Sequence, residues 1–132
     1  MKTETMIYDR MRGILPADSE KTILFAAVGR NTHELFFYTF FEGRAIQCHA
    51  LEEEGLLDGN LLENTFQEIA EIIRQSKAYD ADRYNIATVT VDENGIRMEM
   101  EQYAENVRLY GIKKEWKEKN IGKTPLKAAP KG

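Results

Sequence analysis

Between Lys21 and His49 the apolar residues come in three dense runs, KTILFAAV, ELFFYTFF and RAIQCH, broken by Gly, Asn and Arg. Runs of this length, rich in aromatic and β-branched residues, predict three strands, with the aromatic middle run central in a sheet. Only Glu42 and Gly43 separate the second run from the third, which predicts a tight hairpin. That loop sets Phe41 opposite Arg44, Thr39 opposite Ile46 and Phe37 opposite Cys48; continued further, it sets His33 opposite Glu52. Phe36, Tyr38 and Phe40 then share the other face with Ala45, Gln47 and His49. The face holding Ile46 and Cys48 reads as core. The face holding Gln47 and His49 reads as partly open, and its aromatics as a contact surface unless a helix covers them.

Before these runs, Met6, Ile7, Met11 and Ile14 recur at helical spacing and predict a helix over 3–14, ended by Leu15-Pro16. After them, LEEEGLLDGNLL reads as a long connection. It leads to a helix over 61–77, with Asn60 as its cap, Glu63 as the capping-box partner, and Leu62, Phe66, Ile69 and Ile73 as its apolar face. YNIATVTV reads as a strand, and Asn94-Gly95 as a hairpin signal. The next run alternates, with Ile96, Met98 and Met100 on one side and Arg97, Glu99 and Glu101 on a wet side. A last helix over 105–121 carries Leu109, Ile112 and Trp116, with Gly122 as its stop. The expected fold is α+β: a single domain over 1–123 in the order α-βββ-α-ββ-α. Its antiparallel sheet of about five strands is packed by helices, and residues 124–132 form a flexible C-terminal tail.

Composition narrows this picture. At 132 residues and 42% hydrophobic, the chain suffices for one domain with a real core. No apolar run approaches the roughly 20 residues of a membrane span. The charged opening MKTETMIYDRMRG lacks the apolar middle of a signal peptide. A single cysteine excludes an internal disulfide, and together these features set the expected location in a reducing cytoplasm. The net charge of −4 is uneven: from Gly111 onward stand seven lysines and two acids, a net of +5, which leaves −9 on residues 1–110. An acidic body repels nucleic-acid phosphates and suits a basic protein partner.

Catalytic chemistry has little to work with. Read on a strand, Cys48 and His49 leave opposite faces and form no dyad, so Cys48 reads as a buried structural residue. Two histidines without ligand spacing do not make a zinc site. Glu52-Glu53-Glu54 has the oxygens for a hard cation, but a charge run on a connection reads as solvated surface. Gly55 and Gly59 fit no phosphate-binding pattern. The expectation is a non-enzyme with no cofactor and no metal.

Several pieces, in order, resemble the YezG-like family of bacterial immunity proteins. They are Leu15-Pro16 followed by Lys21 and the Ala27-Val28 strand, the Phe37-Tyr38 strand, and the Asp92–Gly95 hairpin. The last is the ending from Trp116 through Gly122 to Pro125, similar to the family's Trp, Gly and Pro tail. The resemblance runs from about Tyr8 to Pro125. It departs at Ala17-Asp18-Ser19, where the family often has an aromatic, and around Cys48 to Asn60. It implies an antitoxin that binds a cognate toxin domain delivered between cells, with a basic nuclease the inferred partner; the acidic charge and the lack of a long apolar run add the expectation that neither nucleic acid nor membrane is bound directly. The alternative with the same element order is a class I type III secretion chaperone, which holds an effector segment.

For an inhibitor of a basic cleft, carboxylates are the expected contacts. The candidates are Glu52, Glu53, Glu54 and Asp58 on the connection, and Glu99 and Glu101 on the wet strand. Tyr38 and His49 would supply an aromatic centre.

Overall fold

The computed structural model describes residues 2–104 and 107–122. Helix α1 (Thr3–Met11) precedes three strands, β1 (Lys21–Val28), β2 (His33–Phe41) and β3 (Arg44–Gln47). A short helix α2 (Cys48–Glu53) and a long one, α3 (Gly59–Arg74), follow. Strands β4 (Tyr84–Asp92) and β5 (Gly95–Tyr103) and helix α4 (Leu109–Asn120) complete the order. The strands form one antiparallel sheet in the order β3-β2-β1-β4-β5. The α+β architecture with a five-stranded antiparallel sheet is as the pattern predicts.

Local chemistry explains the turns. Glu42 and Gly43 both take positive φ, 50° and 76°. A two-residue loop needs that geometry to match the twist of the strands beside it. Tyr38 pairs with Gln47, Thr39 with Ile46 and Phe41 with Arg44, in the expected register. In the second hairpin only Gly95 takes positive φ, at 115°. There the Asp92 carboxylate accepts the Asn94 N–H at 2.9 Å and holds the turn. Gly122, at φ 60°, closes α4 by donating its N–H to the Lys117 carbonyl at 2.9 Å.

Helices pack on both faces of the sheet. On one, α1 and α3 pack together over Leu24, Ala26, Phe37, Ile46 and Val89, all fully buried. Ile7 and Met11 of α1 and Ile69 and Ile73 of α3 fill the space between the layers. On the other face, Trp116 of α4 stands edge-on to Phe25 and Phe36, at 5.3 and 5.4 Å between ring centroids. Its indole N–H donates to Thr88 Oγ1 at 2.8 Å. Lys113 pairs with Glu34 at 2.6 Å and ties the helix to β2.

Two polar clamps fix turns to the elements beside them. Asn85, wholly buried, accepts from the Asp80 N–H at 3.0 Å and donates to the carbonyls of Asp80 and Arg83 at 2.8 and 3.1 Å. Arg74 at the end of α3 donates to the carbonyls of Gly29 and Thr32 at 3.1 and 2.9 Å, gripping the β1–β2 turn.

Several expectations are corrected. The connection after the sheet run is not all loop, because residues 48–53 form α2. His49 therefore lies on a helix rather than on a strand face. β3 ends at Gln47, so Glu52 never comes opposite His33, which pairs with Val28. The long helix begins at Gly59, not 61, and ends at Arg74, not 77. Its cap is Asp58, whose carboxylate accepts the Asn60 N–H at 2.9 Å, so Asn60 is not the cap and Glu63 is not a box partner. The first helix stops at Met11 rather than at residue 14, although Ile14 remains buried. The last helix starts at Leu109; residues 105 and 106, and the tail expected over 124–132, lie outside the described residues.

Candidate binding site

The sheet order divides the expected contact residues into two groups. The α2 group sits beside β2 and β3 at one edge, whereas Glu99 and Glu101 lie on β5 at the other. Four strand spacings, about 19 Å, separate the edges. Tyr38 does not bridge them. It lies on the face that α4 covers, 4% exposed, with its ring edge-on to Phe36 at 6.0 Å. The reading of that aromatic face as partly open is therefore corrected at Phe36 and Tyr38, whereas Phe40 and Gln47 on the same face are half-buried. Alternation along one hairpin reveals which residues share a face, but not that a helix far along the chain returns to cover it.

Within the α2 group, some carboxylates have structural work. Glu52 lies 3.4 Å from His49 Nδ1, and its carboxylate rests against Gly59 at the start of α3, where the helix dipole favours negative charge. Asp58 caps the same helix. Both nevertheless remain exposed, with the Glu52 side chain 42% open to solvent. Glu53 and Glu54 are exposed, and among the described residues neither forms an ion pair. His49 is exposed beside them. Cys48 is buried at the start of α2, and desolvation pushes its thiol up to about 11. A thiol so placed is almost wholly protonated near neutral pH and a poor nucleophile.

The α2 flank also includes residues that sequence patterning does not single out. Leu51, Leu56, Phe41 and Pro16 line a groove of about 610 Å³ together with Asp18, Glu20 and Glu42. Three chain segments meet there: the α1–β1 loop, the β2–β3 hairpin and α2 with its following turn. The Glu20 carboxylate accepts the Glu42 N–H and links the first two. Leu56 is 49% exposed. One local signal was present in the sequence: Glu42 stands before Gly43 in a tight hairpin, where Asn is the ordinary choice.

The β5 group forms a smaller cleft of about 200 Å³ with α4. Glu99, Glu101 and Glu115 line it against one cation, Lys119, with Trp116 and Ile112 behind. Tyr103 donates to Glu101 at 2.8 Å, and that bond holds its hydroxyl above the usual phenol range. This cleft is acidic but narrow. Among the described residues, no group of three or more His, Cys, Asp or Glu side chains is placed to hold a metal ion, and no helix is long and apolar enough to cross a membrane.

No protein-family model matches the chain, and a search of curated proteins finds no match.

Proposed function

We propose that this chain is an immunity-type inhibitor that binds a basic toxin domain, of the nuclease kind, and covers its active surface. The observation that carries the reading is the α2 flank. Exposed Glu53 and Glu54 stand beside exposed Leu56, with Glu20 and Glu42 brought close by the fold. Enzymes that act on nucleic acid present basic clefts, because they must hold phosphates. An acidic surface with an apolar patch meets such a cleft with attraction at long range and dehydrated packing at short range. The −9 charge of residues 1–110 supports the same partner. So does the sequence resemblance to immunity proteins.

The test is co-expression with the toxin domain encoded beside this gene. A stable complex with restored growth is expected, with an interface of roughly 1,600 Å². Growth rescue without any physical complex contradicts direct inhibition. A dimer holding an unfolded effector segment would instead favour the secretion-chaperone alternative.

A further inference from the structure

We propose that the groove between the α1–β1 loop, the β2–β3 hairpin and α2 is a docking site for an apolar side chain flanked by lysine or arginine on a partner protein. This rests on the proposed function and gives the inhibitor a specific point of attachment. The floor is apolar: Leu51 is buried, Phe41 and Pro16 are half-buried, and Leu56 stands open at the side. The rim is Asp18, Glu20 and Glu42, all exposed, and among the described residues no lysine or arginine lines the groove. An apolar floor inside a rim of one sign selects a ligand that is apolar at its centre and oppositely charged at its edges.

Two other depressions lack this selectivity. A larger one, about 780 Å³ between α1 and the β4–β5 hairpin, mixes Arg12 and Lys21 with Glu20, Asp92 and Glu93 and favours neither sign. The α4–β5 cleft is acidic, but at about 200 Å³ has a third of the groove's volume. Glu42 adds an independent sign. It is the one non-glycine residue at positive φ, 50°, among the described residues. A glutamate costs more there than glycine or asparagine. Local conformation does not favour it, and placing a carboxylate at the groove's rim is what the choice accomplishes. Strain of this kind concentrates at sites of recognition.

The experiment is a titration of ¹⁵N-labelled full-length protein, followed by amide chemical shifts. The probe is a hexapeptide with a central Leu-Trp pair and two lysines on each side. One control replaces the lysines by glutamates, and a second replaces Leu-Trp by Ser-Gly. Saturable shifts at Phe41, Glu42, Leu51 and Leu56 are expected with the basic Leu-Trp peptide alone. Leu56→Ser, at an exposed position, should weaken binding about tenfold without changing the melting temperature. The double variant Glu20→Lys/Glu42→Lys should weaken it at low salt and less at high salt. No saturable shift at millimolar peptide, shifts centred elsewhere, or equal response to the glutamate control would overturn the site. No toxin domain enters this titration, so the two readings fail separately. A silent groove with intact growth rescue moves the interface to another surface. A filled groove without rescue retires the toxin partner and leaves the site.

Discussion

Two residues carry the sharpest expectations at the scale of single side chains. Glu42 sits at φ 50°, where asparagine is at ease and glutamate is not. Glu42→Asn should therefore raise stability by about 1 kcal/mol, seen as a higher denaturant midpoint with an unchanged slope. A lower midpoint would mean that the glutamate side chain has a stabilising role that the geometry does not reveal. Cys48 is the second. Burial lifts its thiol from 9.0 to about 11, so the native state holds the proton longer than the unfolded chain does. Stability from this group is fully present below pH 9 and is lost as pH rises through the folded value. Compared with Cys48→Ala, the wild type should lose stability between about pH 9 and 11, with its thiol unreactive toward a disulfide reagent at neutral pH. Equal pH profiles for the two proteins would contradict that burial. The buried role of Cys48 was legible from its residue type. The role of Asn85 was not, because its five hydrogen bonds reach four residues in a turn, in β1 and in β5.

Among the elements, α3 is the clearest case of a pattern fulfilled. Leu62, Phe66, Ile69 and Ile73 recur at three and four residues, and all four are buried against the sheet. Ile69 is wholly enclosed, so Ile69→Asp places an unpaired charge between helix and sheet. The cost should exceed about 4 kcal/mol and unfold the domain, giving no cooperative melt by circular dichroism. A wild-type melt would mean that α3 does not face the core through this side. The hairpins were equally legible, since two-residue loops fix register locally. Helix α2 was not. Six residues are too few to show a helical period, and Cys48 and His49 continue the strand alternation. The start of α3 was placed two residues late for a related reason: helix boundaries follow caps, and Asp58, two residues earlier than Asn60, accepts the Asn60 N–H.

For the whole molecule, the decisive fact is where charge lies relative to the layers. Helices pack on both faces of the sheet, and its exposed strand acids, Glu99 and Glu101, lie on the edge strand β5. The expected acids separate accordingly, with Glu53 and Glu54 at the β3 edge and Glu99 and Glu101 at the β5 edge. The first pair was visible as a dense charge run. Its companions Asp18, Glu20 and Glu42 were hidden, because residues distant in sequence meet only once the strands are paired.

The central claim is that the α2 flank attracts and holds a basic toxin domain. Its most direct test is the stopped-flow association rate of the toxin domain encoded beside this gene, at two salt concentrations. Wild type is compared with the double variant Glu53→Lys/Glu54→Lys. Both glutamates are exposed and unpaired among the described residues, so the variant should fold normally. The account predicts association slower by about tenfold at low salt and a shallower dependence of the rate on salt, because steering by these charges is gone. An association rate and a salt slope identical to wild type would contradict it.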